Sequence, residues 1–390
     1  MKVIDLFAGC GGLSLGFQRA GYNIVGAVEF WDVAFETYKL NFLHPVYKQD
    51  LSDIPAAVQL VQRLSPDMII GGPPCQDFSH AGKRIEAERA SLTESFAKIV
   101  SIVKPRYFVM ENVDRAKESN AYACARSIFK RAGYGLTEAT LDASYCGVPQ
   151  KRKRFFVLGI LNGQDGFSSK WLEEHQSKDE MTIRNFFGSN VLGFEYYYRH
   201  PRNYSRRAVY SIDEPAPTMR GVNRPVPKGY PGHPLDAHPV DNSVRALTTL
   251  ERSLIQTFPA GYKWAGSKTD IEQMIGNAVP VNLAQYVARC MSAFTVEVPD
   301  YVGFQNWLRS INCSYSERVV SDIISRLRRA NKLLDGDPDP TYLFLLERTD
   351  SFQQIEVSVR SQIKRAVSLY IEYKIYDNFN VDMRKNEGCL

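Results

Sequence analysis

Cys75 is presented in a way that an ordinary buried cysteine is not. It follows Pro73 and Pro74, which follow an apolar run, Asp67-Met68-Ile69-Ile70, closed by Gly71 and Gly72. The run reads as a buried strand, and the glycines and prolines end it with a sharp turn. Prolines fix φ and so hold the next residue in one place. That puts a thiol at the carboxyl end of a strand, where open α/β sheets keep their active sites. A second segment has the same form: Tyr107-Phe108-Val109-Met110 runs into Glu111-Asn112-Val113. A nucleophile and a carboxylic acid would thus end two strands of one sheet. A free thiol is only a few per cent ionised at neutral pH, so it needs activation. Arg152 and Arg154 could lower its pKa; they alternate, so on a strand they face one side. To donate a proton Glu111 needs a raised pKa, which a buried strand end can supply.

A third element is Asp5-Leu6-Phe7-Ala8-Gly9-Cys10-Gly11-Gly12. Its glycines follow a strand and precede a helix, so backbone N–H groups can approach a ligand closely. Taken alone, the turn suits a dinucleotide equally well. The spacing is not G-x-G-x-x-G, because the next glycine after Gly12 is Gly16. Glu29 and Asp50 come one and two units later. Strand-end carboxylates are mostly just solvated, but this placement favours a ligand.

The elements that must position these groups alternate through residues 1–160. Strands are expected at 2–7, 24–28, 67–71, 106–111, 136–141 and 154–160, and helices at 13–20, 32–42, 54–64, 91–103 and 120–132. Such alternation implies a parallel sheet with helices on both faces. Residues 76–98 show no strong apolar pattern before Leu92 and read as a mobile loop. From 162 to 244 aromatics, Pro, Gly, Asn and Arg dominate, and four of the six histidines lie there. That composition suits an irregular, loop-rich β domain. Periodicity returns at 245–256 and 281–294. Beyond 299, Val320, Ile323, Ile324, Leu327 and Leu334 lie near one helical face, as do Ile355, Val359, Ile363, Val367 and Tyr370. The intervening Asp335-Gly336-Asp337-Pro338-Asp339-Pro340 stops a helix, so a small helical appendage is expected. The expected domains are 1–161 with 245–297, 162–244, and 298–390.

The totals suit a protein of two or three domains: 390 residues, 23% charged and 44% apolar. No apolar stretch approaches the ~20 residues of a membrane span, and the chain opens on a strand with no targeting segment expected. Seven cysteines, scattered and without C-x-x-C, argue for a reducing cytoplasm and against a disulfide framework or a zinc site. Cys10, Cys124, Cys146 and Cys290 read as buried small hydrophobes. The net charge of +5 decides little, but residues 184–228 carry eight Lys/Arg against three Asp/Glu. The tail from 300 is balanced, thirteen against thirteen.

Together the motifs resemble the DNA cytosine-5 methyltransferases of bacterial restriction-modification systems. The pieces stand in the family's order as DLFAGCGG (5–12), Glu29, PPCQDFS (73–79), ENV (111–113), QKRKR (150–154), RALTTLERSLIQTFP (245–259) and GNAVPVNLA (276–284). The family usually has glycine two residues after the cysteine, where Asp77 stands; an outward-pointing carboxylate would leave the thiol's pKa alone. The resemblance implies a Rossmann-like S-adenosylmethionine-dependent methyltransferase fold, with a small irregular β target-recognition domain and the stretch after 245 folded back on the catalytic part. It implies methyl transfer to carbon 5 of a flipped-out cytosine in duplex DNA, with Cys75 as nucleophile, Glu111 acting at ring nitrogen 3, Arg154 at the ring oxygen, and Arg152 supporting the thiol or a phosphate. S-adenosylmethionine, leaving as S-adenosylhomocysteine, would be held by Asp5, Phe7, Ala8, Gly9, Gly11, Gly12, Leu13, Glu29, Phe30, Asp50, Leu51, Pro73, Leu92, Asn277 and Val279, and no metal is expected. DNA would be met by Gln76, Ser79, Lys83, Arg84, Arg89, Thr218, Arg220 and Arg224. Arg220 and Arg224 follow Ala216-Pro217-Thr218-Met219 and are candidates for guanine contacts, since arginine pairs bidentately with guanine. A cytoplasmic, nucleoid-associated monomer paired with a restriction endonuclease is expected.

Rival readings explain less. A nicotinamide oxidoreductase leaves Pro73-Pro74-Cys75 and Glu111 unused. An amino-group DNA methyltransferase needs Asp or Asn before the prolines, where Gly72 stands. A cysteine hydrolase needs a histidine partner, and only His80 is near. A transfer-RNA substrate sits poorly with a variable segment of ~80 residues, long for a connector. A cofactor-sensing DNA-binding protein has no use for Cys75, Glu111 and Arg154 together.

Overall fold

The structure, a computed structural model, describes residues 1–74, 83–188, 193–201, 203, 205–294, 301–311, 315–334, 338 and 340–387; within these, the side chains of 83–91, 340–341 and 377–387 are not described. The chain divides into two compact units, Met1–Phe294 and Thr295–Leu390.

The first unit opens with β1 (Lys2–Leu6), α1 (Gly12–Arg19), β2 (Asn23–Val28), α2 (Asp32–Asn41), β3 (Val46–Tyr47), α3 (Ile54–Leu64), β4 (Met68–Gly71), α4 (Lys83–Val103), β5 (Tyr107–Val113), α5 (Asn120–Arg131), β6 (Tyr134–Asp142), β7 (Gln150–Lys151) and β8 (Lys153–Leu161). Seven of these strands form one sheet in the order β3-β2-β1-β4-β5-β8-β6. The pairings from β3 through β5 are parallel, while β8 runs antiparallel to both β5 and β6. The expected parallel sheet is present, with β8 as its one exception. The link from Asp142 to Lys153 is too short for the crossover that a parallel partner requires, so β8 returns antiparallel.

Period-two alternation gives the sheet two buried faces. Val3, Ile70, Tyr107, Val109, Phe156 and Leu158 pack toward α1. Ile4, Leu6, Ile69, Phe108, Met110 and Val157 pack toward α3, α4 and α5. On α5, Tyr122, Ala125 and Phe129 are buried at helical spacing, and Cys124 falls on the outer side and is exposed, contrary to the buried reading. A second correction concerns the loop expected over 76–98: α4 already begins at Lys83. Lys, Arg, Glu and Ala are strong helix formers, and their propensity holds these turns without an apolar stripe.

The variable stretch carries α6 (Ser169–Glu174), α7 (Ile183–Phe187), β9 (Tyr196–Tyr198), β10 (Val209–Ser211) and β11 (Ala216–Pro217), and β12 (Arg245–Ala246) follows. β9 lies between β10 and β12, and β11 pairs with β7. Much of its order comes from side chains. Asp236 accepts from the Ala208 and Val209 amides at 2.7 and 2.9 Å, from the Tyr230 hydroxyl at 2.8 Å and from the His233 amide at 2.9 Å. One carboxylate thus pins an irregular loop to β10.

The unit ends with α8 (Thr249–Ile255), α9 (Lys268–Asn277) and α10 (Val281–Phe294). Capping boxes open α8 and α9, Thr248 with Glu251 and Ser267 with Asp270. α10 does fold back onto the catalytic sheet. Leu283, Ala284, Val287 and Met291 join the α1-side core. The contact is close because Gly16 has no side chain: a Cβ there would lie 2.4 Å from Ala284 Cβ and 2.7 Å from the Gln285 amide nitrogen.

The second unit contains α11 (Tyr301–Ile311), α12 (Glu317–Leu333), α13 (Pro340–Leu346), α14 (Asp350–Gln353) and α15 (Val357–Glu387). It has its own core, in which Phe304, Val320, Leu327, Ile363, Val367 and Tyr370 are buried. The two expected stripes lie on α12 and α15, with Leu334 and Ile355 just beyond helix ends and partly buried.

The α1–α10 contact is testable. Gly16→Val should destabilise the protein by about 1–3 kcal/mol, the usual cost of overpacking a tight contact, measured by denaturant unfolding. Gly261→Ala, where nothing lies within 4 Å of the added methyl, should stay within about 0.5 kcal/mol of wild type. Equal effects would contradict the packing described.

Candidate active site

The functional groups gather at the carboxyl ends of β1, β2, β4 and β5. The chain leaves β1 through Phe7, Gly9 and Gly11, all with positive φ, of 59°, 56° and 90°. For a phenylalanine this left-handed conformation is strained, and such strain concentrates at functional sites. Gly12 then starts α1 in contact with the Val279 carbonyl, which a Cβ would approach to 2.3 Å. Ala8, Leu13, Leu51 and Val279 are buried around this turn.

Glu29, at the end of β2, holds the turn. One carboxylate oxygen accepts from the Gly9 amide at 2.6 Å, and the other from the Phe30 and Trp31 amides at 2.9 and 2.7 Å. Burial raises its pKa, and the three amides oppose that. It is therefore no freely solvated carboxylate, and the oxygen that accepts from Gly9 keeps one lone-pair site for a ligand. Beside it Phe30 is 60% exposed, an apolar face open to a ring. Asp50 is exposed beyond β3, with one oxygen accepting from the Ser52 amide at 2.8 Å. Leu92 is half-buried on α4, and Asn277 is exposed at the end of α9.

Asp5 stands apart from these. It is fully buried and points toward α1, where Ser14 Oγ donates to it at 2.6 Å. Tyr38 Oη donates to Ser14 Oγ at 2.6 Å and lies 2.7 Å from His44 Nε2. The other Asp5 oxygen has no hydrogen-bond partner among the described residues. Burial pushes the Asp5 carboxyl up to about 7. This network was not legible in sequence, because Ser14, Tyr38 and His44 carry no local signal beyond ordinary helix and loop positions.

The candidate acid lies at the β4–β5 part of the sheet's carboxyl edge. Glu111 and Arg154 are diagonal neighbours on the antiparallel β5–β8 pair and share a face. Arg154 Nε donates to Glu111 Oε1 at 2.8 Å, with both side chains largely buried. The second Glu111 oxygen lies 3.0 Å from where a Gly72 Cβ would be. A side chain at position 72 would crowd the carboxyl, so glycine suits this close approach. Asn112 Nδ2 donates to the Pro73 carbonyl at 3.1 Å and ties the proline turn to β5. Burial raises the Glu111 pKa, against the opposing pull of Arg154 and Arg152. Cys75, Gln76, Asp77 and Ser79 lie outside the described residues. Lys83, Arg84 and Arg89 are on α4, with side chains also outside them. The buried thiols Cys10, Cys146 and Cys290 are all pushed up to about 12 and so are poor nucleophiles.

Arg152 sits in the break between β7 and β8 and is fully buried. Its guanidinium donates to the carbonyls of Met219, Gly276 and Ala278 at 2.9, 2.7 and 3.0 Å. Thr218 Oγ1 donates to the Lys151 carbonyl at 2.7 Å. The two candidate guanine readers differ: Arg220 turns inward and donates to the His200 carbonyl, whereas Arg224 is exposed. Sequence reasoning passed over Arg199, whose guanidinium donates to the Thr218 carbonyl at 2.8 Å, and Arg207, which pairs with Glu214 and lies over the Tyr210 ring. With Lys151 and Arg206 they line an open cleft of about 600 Å³. The local arginine excess was the available signal; which arginines converge was not readable.

Among the described residues no cluster could hold a metal ion, and no helix is long and apolar enough to cross a membrane. The Asp5 environment makes a prediction with a definite sign. Because the folded pKa is raised, Asp5 stabilises the fold fully below its ordinary value near 3.8 and loses this as pH rises through about 7. The melting temperature of wild type relative to Asp5→Asn should therefore fall between those limits. Parallel curves would mean that Asp5 ionises normally.

The C-5 cytosine-specific DNA methylase family profile matches residues 1–293, ending at the boundary of the first unit. The Type II methyltransferase M.HindV of Haemophilus influenzae is 55% identical, over 76% of this chain and 98% of that protein. M.HgiDI of Herpetosiphon aurantiacus, also a Type II methyltransferase, is 54% identical over 75% of this chain and 95% of its own length. Among solved structures, the S. pombe Dnmt2 methyltransferase superposes with a TM-score of 0.57 at 19% identity, covering 76% of this chain and 99% of that one. A putative DNA modification methyltransferase encoded within an E. coli prophage gives 0.54 at 22%, covering 75% and 99%. These two likenesses speak to the fold alone. With the sequence relatives and the geometry of its sheet edge, the chain belongs to the C-5 cytosine-specific DNA methylase family and is a DNA cytosine-5-methyltransferase of restriction-modification type.

Proposed function

We propose that this chain methylates carbon 5 of a flipped-out cytosine within one specific duplex DNA sequence, through a covalent adduct with Cys75, and so protects DNA from a cognate endonuclease. The observation that carries the reading is Glu111, paired with Arg154 and buried against Gly72, which stands three residues before Cys75.

The cofactor site fits S-adenosylmethionine by its donor set. Glu29 has acceptor capacity for ribose hydroxyls, exposed Phe30 and the strained Phe7 offer aromatic faces, Asp50 can accept from the adenine amino group, and the Gly9–Gly12 turn admits close approach. Asn277 and Val279 would hold the amino-acid end. When bound, S-adenosylmethionine supplies an electrophilic methyl group. No metal has a part in this reading.

Carbon 5 of cytosine is too weakly nucleophilic to accept a methyl group directly. The Cys75 thiolate adds to carbon 6, forming a C–S bond, while Glu111 gives a proton to ring nitrogen 3. The product is an enamine whose carbon 5 is nucleophilic. Arg154, paired with Glu111, hydrogen-bonds the ring oxygen in this reading. Once carbon 5 is methylated, a base, taken here as water, removes the carbon 5 proton. The C–S bond then breaks, the thiolate leaves, and the proton on ring nitrogen 3 returns to Glu111. Reaching the base requires flipping it from the duplex. Thr218 and the arginines of the variable stretch supply phosphate and base contacts, the first giving position and the second sequence. The reading carries with it a monomer acting on DNA in the cytoplasm, with an endonuclease encoded nearby.

Two experiments test the chemistry. Duplex DNA carrying 5-fluorocytosine at the target should trap wild type covalently, because fluorine cannot leave as the proton does. Cys75→Ala should bind DNA without trapping, and full methylation by that variant would sink the nucleophile. Glu111→Gln should lose about 10²–10⁴ in single-turnover rate with binding retained, the range for an acid–base group. Since burial raises the Glu111 pKa, the wild-type rate should also fall as pH rises through that raised value, a limb absent from the glutamine variant. A glutamine variant of wild-type rate would remove Glu111 from the reaction.

A further inference from the structure

The expected role of Arg152 is to support the thiol or a phosphate, but of its guanidinium nitrogens only Nε has no hydrogen-bond partner among the described residues. Both terminal nitrogens are already committed to main-chain carbonyls on two segments far apart in sequence. One is the turn Thr218–Gly221, on the recognition side. The other is the turn Gly276–Val279, which joins α9 to α10 on the cofactor side. Nη1 holds the Met219 carbonyl, and Nη2 holds those of Gly276 and Ala278.

The same two turns are tied again by amides. Gln150 Oε1 accepts from the Met219 amide at 2.8 Å, and its Nε2 donates to Gln256 Oε1 at 2.9 Å. Gln256 Nε2 donates to the Ile275 and Ala278 carbonyls at 2.5 and 3.3 Å. Gln150, Arg152 and Gln256 are all fully buried. The backbones also touch: a Cβ on Gly276 would lie 2.3 Å from the Gly221 amide nitrogen. Arg252 completes the joint, donating to the Arg220 carbonyl while paired with Glu272.

A planar fork that donates in fixed directions can bridge two backbones in a way a lysine ammonium cannot. Neither turn can shift without breaking buried hydrogen bonds, each costly to leave unmade. We propose that Arg152 is a positioning residue, not a catalytic one: with Gln150 it locks the Thr218 turn to the Asn277 turn, so that engaging DNA at the first and the cofactor at the second become one coupled event. The inference rests on the functional reading above and assigns a device within it. Coupling of this kind is reciprocal and thermodynamic, so it is measurable without turnover.

The test is the affinity of duplex DNA containing the methylated sequence, measured with and without S-adenosylhomocysteine, for wild type, Arg152→Lys and Gln150→Met. Wild type should bind DNA about tenfold or more tighter with the cofactor product present, within the usual range of allosteric coupling. In both variants each ligand alone should bind within about threefold of wild type, and the mutual tightening should shrink to less than about threefold. Gln150→Met removes only the amide links, and so remains informative if Arg152→Lys fails to fold. A purely structural role would lower the melting temperature and leave the ratio of affinities unchanged, which would overturn the proposal. So would a wild-type protein that binds DNA with no tightening. A wild-type protein that binds no duplex DNA would instead refute the functional reading.

Discussion

A carboxyl buried at the end of a strand must be accommodated, and much of the catalytic edge follows from accommodating Glu111. Its neighbour at position 72 is glycine, and a Cβ there would lie 3.0 Å from the carboxyl. Its partner Arg154 has to come from the adjacent strand on the same face, which the antiparallel return of β8 provides. Asn112, one residue on, points the other way and fixes the proline turn through the Pro73 carbonyl. A parallel β8 could not follow β6 with so short a link, so the one antiparallel strand of the sheet and the acid–arginine pair are consequences of the same connection.

The catalytic half was legible because its signals are local. Apolar runs ended by glycine, proline or a polar residue mark the strand ends where the site stands, and five helices follow from 3.6-residue periodicity. The errors have local causes too. The first turns of α4 lack an apolar stripe and depend on propensity. The direction of β8 depends on a loop length, not on composition. Cys124 was misplaced because its face of α5 is set by Tyr122, Ala125 and Phe129. What no window could reveal is the pairing of distant polar groups: Asp5 with Ser14 and Tyr38, Arg152 with the carbonyls of three residues, Arg252 with Glu272.

The variable stretch shows the same limit more sharply. Its strands are two or three residues long, too short to carry periodicity. Order comes from hubs such as Asp236 and from the pairing of β11 with β7, which puts Thr218 beside Lys151. Composition announced a basic surface there. It did not announce that Arg220 would donate to the His200 carbonyl, or that Arg199, Arg206 and Arg207 would line one cleft with it. The second unit has a core of its own, beyond the end of the family match.

Cytosine carbon 5 in duplex DNA is the atom proposed to receive the methyl group. The most direct measurement is nucleoside analysis of DNA from cells expressing the protein, followed by bisulfite sequencing. The account predicts 5-methyl-2′-deoxycytidine as the new modified nucleoside, at one cytosine of one recurring sequence. A methyl group found on an exocyclic amino group, on transfer RNA alone, or at cytosines without common sequence context would contradict it.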